Sequence, residues 1–275
     1  MLVNVDPNDE IISIDPDLGF TVIHKKNTVP NTLQFSPHNH DDIYEIMLFL
    51  GGDCEFNVEG NSYKLKAYDI TFTRPFELHN IVCISKKAYE RIILYIKKDF
   101  FSAKGREKYL DIFENRELGT GNIISYDLTD GTERKCINKI NEYYSEGARD
   151  VAECAVTEFL YIINKTKYVS AGTLAGNERI RDVIIYINNN LSERLLLDDI
   201  ADRFFINKYY LCKYFKKYTG YTIGQYINFK RILLAQEYHR SGQTLLQASI
   251  NAGFNSYAHF YKTYVSRMGK SPKEM

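Results

Sequence analysis

The spacing of apolar and polar residues changes along the chain. From about residue 43 to residue 96, short apolar runs are separated by turn residues such as Gly51-Gly52 and Arg74-Pro75, which is typical of β-strands. From residue 132 onward, apolar residues recur every three or four positions, as in amphipathic helices. The pattern predicts a two-domain α+β chain, in which a β-sandwich or β-barrel precedes two helices and an all-α domain. The predicted strands are 43–50, 54–58, 63–66, 70–73, 78–84 and 91–96.

The last hundred residues contain one helical pattern twice. Each copy predicts a short helix, a tight turn and a longer helix that ends in glycine, at residues 197–220 and 245–269. The offset between the copies is 48 residues before the turn and 49 after it. The aligned pairs are Ala201 with Ser249, Leu211 with Phe260, Phe215 with Tyr264, and Gly220 with Gly269. This is the pattern of the helix-turn-helix motif, whose second helix enters the major groove of DNA. Two copies at a near-constant offset rarely arise by chance.

One helix is predicted between the two copies, from Ile223 to about Arg240, with Thr222 as its N-cap. At ~1.5 Å per residue it spans about 27 Å. That length is close to the ~34 Å between successive major-groove faces of B-DNA. One chain could therefore place residues 208–217 and 256–265 in two adjacent grooves.

The distribution of charge favours DNA over the alternative partner of such a helical domain, another protein. Residues 178–275 contain 15 Lys and Arg against 8 Asp and Glu, a net charge of +7, whereas residues 1–177 have a net charge of −7. A basic domain joined to an acidic one is typical of a nucleic-acid-binding protein with a separate second domain.

Residues 178–275 resemble the DNA-binding domain of the AraC/XylS family of transcription regulators. The matching positions are Leu197, Ile200-Ala201, Phe215-Lys216, Gly220, Arg231, Ala235, Gly253-Phe254 and Gly269-Lys270-Ser271-Pro272. Two residues depart from the family pattern, since Ser249 replaces the usual Ala and Ile223 the Pro that often begins the linker helix. The resemblance implies a sequence-specific DNA-binding regulator, an activator that engages RNA polymerase, and a homodimer.

Helix geometry indicates which side chains of the first reading helix face DNA. Leu211, Tyr214 and Phe215 are expected to face the core, which leaves Lys208, Tyr209, Cys212, Lys213 and Lys216 on the outer face. The resemblance implies base contacts by Tyr209, Cys212 and Lys213, and by Tyr257, Ala258, His259 and Lys262 in the second helix. Lys can donate to guanine, while Tyr and Cys suit apolar contact with thymine methyl groups.

The remaining members of the predicted DNA-contacting set are Lys216, Lys217 and Arg267, as phosphate contacts, and Ser256, at the start of the second reading helix. For each lysine the alternative interpretation is a solvated surface charge.

A second motif lies in the N-terminal half. His38, His40, Glu45 and Gly52 fit the spacing of the first cupin pattern, and Tyr68-Asp69-Ile70, Pro75 and His79-Asn80 fit part of the second. Residues 20–100 thus resemble the sensor domain of sugar-responsive AraC-type regulators. The resemblance implies a cupin-like β-barrel that binds a small-molecule effector, with a saccharide as the expected class.

The effector pocket is predicted to contain His38, His40, Tyr44, Glu45 and His79, which would hydrogen-bond the hydroxyl groups of a sugar without a cofactor. The same three histidines and one carboxylate also form the metal set of cupin enzymes and suit Zn, Fe or Mn. Three alternatives therefore remain open: a metallated pocket, a metal-dependent cupin enzyme fused to a DNA-binding domain, and purely structural histidines.

Two helices between the domains are the predicted dimer interface, because the resemblance implies that such regulators dimerise there, with packing of the helices against the barrel as the alternative. Each helix has an apolar stripe. The helices lie between residues 132 and 167 and are interrupted near Glu146-Gly147. The stripe residues are Cys136, Ile137, Ile140, Tyr144, Ala152, Ala155, Val156, Phe159, Leu160 and Ile163.

These patterns predict the domain boundaries: a sensor domain at 1–166, a linker at 167–177 and a DNA-binding domain at 178–275.

No apolar run approaches the ~18 residues of a membrane-spanning helix, and the N-terminus lacks the pattern of a signal peptide. The five cysteines are scattered without metal-site or redox spacing, which fits buried thiols in a reducing cytosol. The sequence therefore predicts a cytoplasmic transcription regulator.

Overall fold

The computed structural model describes residues 13–28, 33–34, 38–40, 42–102, 105–166, 178–269 and 271–274. The chain divides into two compact units, residues 1–175 and 176–275, and each is considered by itself. The predicted linker, residues 167–177, lies outside the described residues. In the described part of the chain, no helix has the length and apolar character needed to cross a membrane.

The first unit contains two antiparallel sheets. One sheet has the strand order β1-β8-β3-β6-β9 and the other the order β2-β7-β4-β5. The strands are β1 (Phe20–Asn27), β2 (Leu33–Gln34), β3 (Ile43–Gly51), β4 (Cys54–Val58), β5 (Asn61–Lys64), β6 (Ile70–Thr73), β7 (His79–Cys83), β8 (Tyr89–Lys97) and β9 (Ile123–Ile124). The six predicted strands are all present, with ends shifted by at most two residues.

The five-stranded sheet is buried on both faces, because successive side chains of a strand point to opposite sides. On β3, Met47 and Phe49 belong to an apolar cluster that also contains residues of β4 and β7. Tyr44, Ile46 and Leu48 belong to a second cluster, which they share with helices. The first cluster fills the space between the two sheets, and the second lies on the outside of the five-stranded sheet.

Helices cover that outer face. They are α1 (Lys98–Ser102), α2 (Asp111–Glu114), α3 (Thr132–Ser145) and α4 (Arg149–Ile163). The break between α3 and α4 was predicted near Glu146-Gly147, and Gly147 there has a φ of 75°.

The apolar stripes of α3 and α4 are core rather than interface. Nine of their ten predicted residues are buried and the tenth, Tyr144, is half-buried; all pack in the cluster that contains the outer face of β3. The stripes therefore pack against the sheet, as the alternative interpretation predicted, and exclude water from its apolar side chains; a dimer role of the two helices stays a prediction that would have to use their outer faces.

The second unit is all-helical. Its helices are α5 (Glu178–Asn189), α6 (Leu197–Arg203), α7 (Lys208–Thr219), α8 (Ile223–Arg240), α9 (Leu245–Asn251) and α10 (Tyr257–Met268). The predicted central helix is confirmed as α8, and Thr222 caps it in a capping box with Gln225. The two helix-turn-helix motifs are α6–α7 and α9–α10. The fold is therefore of the predicted α+β class, with a β-rich unit that ends in two helices and an all-α unit with twin helix-turn-helix motifs.

Candidate functional site

Both reading helices begin at a side-chain cap. Asn207 Oδ1 accepts hydrogen bonds from the backbone N–H groups of Tyr209 at 2.9 Å and Tyr210 at 3.4 Å. Ser256 Oγ accepts one from the backbone N–H of His259 at 3.2 Å. The caps lie 49 residues apart, which is the offset of the sequence repeat after the turn. The Ser256 hydroxyl still has its proton to donate, so capping leaves a DNA contact possible.

The inward faces of the two motifs match position by position. Leu211 and Phe215 of α7 are fully buried, as are Phe260 and Tyr264 of α10. Ser249, which stands where Ala201 lies in the first copy, is also buried. Its hydroxyl donates to the carbonyl oxygen of Leu246 at 2.8 Å, and this satisfies the added polar group.

The outer face of α7 is basic and exposed. Cys212, Lys213, Lys216 and Lys217 are exposed, and Tyr209 is 86% exposed. Lys208 is exposed as well, but its Nζ lies 2.6 Å from Asp198 Oδ1. That hydrogen bond raises the pKa of Lys208. A phosphate contact by Lys208 would therefore have to replace the Asp198 pair.

The outer face of α10 carries less charge. Ala258, His259 and Lys262 are exposed, whereas Tyr257 is half-buried and its ring lies 5.8 Å from that of Phe260. The His259 ring lies 5.4 Å from that of Phe254. α10 therefore offers an imidazole and one lysine where α7 offers several lysines.

Arg267 packs against two aromatic rings of its own unit. Its guanidinium lies 4.8 Å from the ring centroids of both Tyr221 and Phe229, and it donates a hydrogen bond to the Tyr221 hydroxyl. The planar cation thus stacks on aromatic faces within its own unit, and the phosphate contact of Arg267 stays a prediction.

Arg231 fixes the position of the second motif, a role that the sequence pattern did not assign. Its Nε donates to the carbonyl oxygen of Leu191 at 2.8 Å and its Nη2 to that of Glu193 at 2.6 Å. Gly253 packs against this contact at a φ of +95°, and a Cβ there would collide with the Leu191 carbonyl oxygen and lie 2.7 Å from Arg231 Nε. Arg231 and Gly253, which belong to separate parts of the sequence pattern, thus take part in one contact.

The first unit brings together four of the five predicted effector residues. His38, His40, Glu45 and His79 each offer one ligand atom, and these atoms lie within 4.8 Å of one another. We call these four residues the His3Glu cluster. Glu45 Oε2 lies 2.9 Å from His40 Nε2 and 3.2 Å from His79 Nε2. His38 is held by two backbone hydrogen bonds with His79, at 3.0 and 2.9 Å.

His40 and His79 of the cluster are buried, whereas His38 and Glu45 are half-buried. Burial by itself would raise the pKa of Glu45, but the charge of His79 and hydrogen bonds from both histidines hold it well below its ordinary value. Burial would lower the pKa of His79, but the Glu45 carboxylate raises it. His40 Nδ1 is buried and has no hydrogen-bond partner among the described residues. The cluster therefore offers an unsatisfied donor or acceptor to an incoming ligand.

Tyr44 is separated from the cluster. It is adjacent to Glu45 on β3, so its side chain points to the opposite face of the sheet. Its ring lies 4.9 Å from that of Phe101 and 4.8 Å from that of Phe113, and its hydroxyl donates to Glu114 Oε1 at 2.7 Å. Burial and Glu114 raise the pKa of this phenol. The expectation that Tyr44 lines the pocket is corrected by this strand alternation.

Tyr95, which the sequence did not suggest, takes the place expected for Tyr44. It is paired with Glu45 across β3 and β8, and its ring meets that of His40 edge-on at 5.6 Å. Phe56 lies 6.3 Å from the His79 ring. The period-two pattern of β8 places Tyr95 on one of two faces, but only the strand pairing shows which face that is.

A buried ion pair lies next to the cluster and includes the residue whose backbone carbonyl binds His79. Arg116 donates to the Glu77 carboxylate from Nη1 at 2.7 Å and from Nη2 at 2.6 Å, and both side chains are almost fully buried. The backbone carbonyl of Glu77 accepts a hydrogen bond from His79 Nδ1 at 2.8 Å. Glu77 thus orients His79, and no local sequence pattern indicates its pairing with a residue 39 positions away.

Comparison with known protein families gives one match in each of the two units. A family profile described as an AraC-like ligand binding domain matches residues 30–106. A second profile, described as a helix-turn-helix domain, matches residues 200–275.

Three curated relatives are similar to this chain. The Transposon Tn10 TetD protein of Escherichia coli is 35% identical over 31% of this chain and 62% of its own length. The HTH-type transcriptional activator AarP of Providencia stuartii is 32% identical over 34% of this chain and 70% of its own length. The HTH-type transcriptional activator RhaS of Mannheimia succiniciproducens is 25% identical over 88% of this chain and 89% of its own length. AarP and RhaS are regulators rather than enzymes, as was expected of this chain. The chain belongs to the AraC/XylS family of transcription regulators, with an N-terminal AraC-like ligand-binding domain and a C-terminal helix-turn-helix domain.

Proposed function

We propose that this protein activates transcription when a hydroxyl-rich small molecule, a saccharide as the expected class, binds at the His3Glu cluster. The observation that carries the proposal is the convergence of three imidazoles and one carboxylate inside an apolar β-sandwich. A few convergent polar groups in an apolar surrounding are the usual composition of a small-ligand site. AarP and RhaS are named as activators, which supports the direction of the response.

The chemistry of the cluster suits a polyol. A hydroxyl group both donates and accepts, so it can donate to the Glu45 carboxylate and accept from an imidazole N–H. It can also satisfy the buried Nδ1 of His40. The ligand switches transcription only if it prefers one arrangement of the protein over another.

A metallated sensor is the second candidate. The four ligand atoms within 4.8 Å are N and O donors that suit Zn, Fe or Mn. His79 Nδ1 can donate to the Glu77 carbonyl, so a metal ion that displaces the Nε2 proton would meet an Nε2 lone pair directed at the cluster, as in many metal-binding histidines. In a regulator such an ion would bind the effector or stabilise the fold of the sensor domain.

The test compares full-length variants on a reporter of the native promoter. Cells are grown on a panel of mono- and disaccharides, and the same proteins are assayed for promoter affinity. His40→Ala and Glu45→Ala should abolish induction and leave DNA affinity unchanged. His24→Ala is the matched control, since His24 lies on the exposed side of β1, paired with Glu90. Full induction in both cluster variants would contradict the proposal.

Metal content of the purified protein separates the two candidates. Binding of a saccharide by protein that holds no metal supports the first candidate. Loss of induction with a chelator, and its return with one transition metal, supports the second.

The proposed partners are promoter DNA, RNA polymerase and a second copy of the chain, in the cytoplasm where the promoter lies. A surface for the second copy is the outer side of α4, where Val151 is 43% exposed, Tyr161 is 47% exposed and Cys154 is exposed. Tyr161→Glu should convert a dimer to a monomer in sedimentation.

Transcription in vitro with purified RNA polymerase should rise when the protein and its effector are added. No rise would contradict the activator role.

A further inference from the structure

Two cysteines that are 29 residues apart in the sequence meet inside the sensor. Cys54 of β4 is paired directly with Cys83 of β7, and their Sγ atoms lie 3.1 Å apart. The backbone N–H of Ile84 donates to the carbonyl of Asp53 at 2.8 Å, which flanks the pair. Cys54 and Cys83 therefore occupy a non-hydrogen-bonded position, where the Cα atoms of antiparallel strands are about 4.5 Å apart.

That separation falls inside the range of disulfide-bonded cysteines, about 4.4–6.8 Å between Cα atoms. Both thiols are free, and both are buried at 0% and 1% exposure. Converting this pair to a disulfide therefore requires little movement of the backbone.

The surroundings favour reaction at Cys83. The hydrogen bond from Cys54 lowers the pKa of the Cys83 thiol, burial opposes this, and the Arg91 guanidinium lowers the pKa further. Arg91 is itself buried. Since the thiolate is the reactive form of cysteine, Cys83 is the nucleophile of the pair and Cys54 is the thiol that resolves it.

We propose that Cys54 and Cys83 form a redox site that a peroxide oxidises to a disulfide. The Cys83 thiolate attacks one peroxide oxygen, the O–O bond breaks, and a sulfenic acid forms while the other oxygen leaves as water after protonation. Cys54 then attacks the sulfenic sulfur and releases the second water. The two thiols lose two electrons and hydrogen peroxide gains them, and a dithiol reductant reverses the reaction.

The site lies on the same strand pair as the His3Glu cluster. His79, Ile81 and Cys83 alternate along one face of β7, and they pair with Val58, Phe56 and Cys54 of β4. A disulfide would fix one end of this strand pair while His79 lies at the other. Oxidation should therefore stabilise the sensor against thermal unfolding, by constraining the unfolded chain.

The test treats the folded full-length protein with hydrogen peroxide and maps its peptides without reduction. Cys154→Ser and Cys212→Ser remove the exposed thiols. The expected result is one cross-linked peptide that contains Cys54 and Cys83, a higher Tm, and full reversal by dithiothreitol. Cys54→Ala is the matched control, in which peroxide should oxidise Cys83 alone and leave Tm without a rise.

The wild-type peptide map decides the question even if Cys54→Ala does not fold. A native protein whose Cys54 and Cys83 stay reduced while Cys154 and Cys212 react would overturn the proposal. A Cys54–Cys83 disulfide that forms only in denaturant would overturn it as well.

Discussion

Arg231 Nε donates a hydrogen bond to the carbonyl oxygen of Leu191 at 2.8 Å, and Gly253 packs against this contact. The bond joins α8 to the segment that follows α5, while Gly253 lies in the turn of the second helix-turn-helix. The orientation of α10 therefore depends on a backbone contact made 62 residues earlier in the chain.

Gly253→Ala should destabilise the second unit more than Gly242→Ala. Both glycines have a positive φ, +95° and +100°, so each alanine costs about 1–3 kcal/mol in backbone strain. Only at Gly253 does the new Cβ also collide with the Leu191 carbonyl oxygen, since nothing lies within 4 Å of a Cβ at Gly242. Urea unfolding of the two variants measures the difference. Equal losses would show that Gly253 is needed only for its backbone conformation.

If Arg267 acts by packing alone, Arg267→Ala should lower stability and leave the salt dependence of DNA binding unchanged. The substitution removes the stacking on Tyr221 and Phe229, and a cation–π contact of this kind contributes about 0.5–2 kcal/mol. Thermal unfolding and a salt titration of promoter affinity check the two parts. A flatter salt slope with unchanged Tm would instead support the predicted phosphate contact of Arg267.

Lys216→Ala and Lys217→Ala should each flatten the dependence of log K on log salt by about 0.9, because each phosphate contact releases counterions. Both variants should weaken binding to all sequences alike. Lys86→Ala is the charge-matched control, since Lys86 is an exposed residue of the sensor. The measurement is promoter affinity at several salt concentrations. Three identical slopes would exclude both lysines as phosphate contacts.

Glu77→Gln should destabilise the sensor by about 3–5 kcal/mol, because it leaves the buried charge of Arg116 without its partner. Arg149→Ala is the comparison, since Arg149 is 55% exposed in its pairs with Asp15 and Asp17. A surface pair of that kind contributes at most about 1 kcal/mol. Denaturant unfolding measures the loss of unfolding free energy in each variant. A loss in Glu77→Gln no larger than in Arg149→Ala would contradict the role assigned to the buried pair.

The sequence predicted those parts of the fold whose signal is local. The bounds of β4, β6 and α8 follow from apolar runs, turn residues and a cap that lie within each segment. The His3Glu cluster was predicted because its spacing matches a known motif. β1 was missed because His24, Lys25 and Lys26 disrupt its apolar run, and β9 because it has only two residues.

What could not be predicted depends on pairing between distant segments. The placement of Tyr44 outside the pocket requires knowing which face of β3 the helices cover. The contact of Cys54 with Cys83 follows from the register of β4 and β7, which no spacing of cysteines reveals. Arg267 was assigned to phosphate because its charge is visible in the sequence, whereas the two rings beneath it come from residues 38 and 46 positions away.

We propose that α7 and α10 read adjacent major grooves, as the spacing of the two motifs predicts, and a comparison of Lys213→Ala with Lys262→Ala tests this central claim most directly. Both lysines are exposed and lie 49 residues apart, at equivalent positions of the two motifs. Sites selected from random DNA by each full-length variant are compared with those of the wild type. Each variant should lose discrimination at its own position, at a cost of ~1–3 kcal/mol, and the two positions should lie about one helical turn of DNA apart. Loss at the same base pairs in both variants, or within half a turn, would contradict the account.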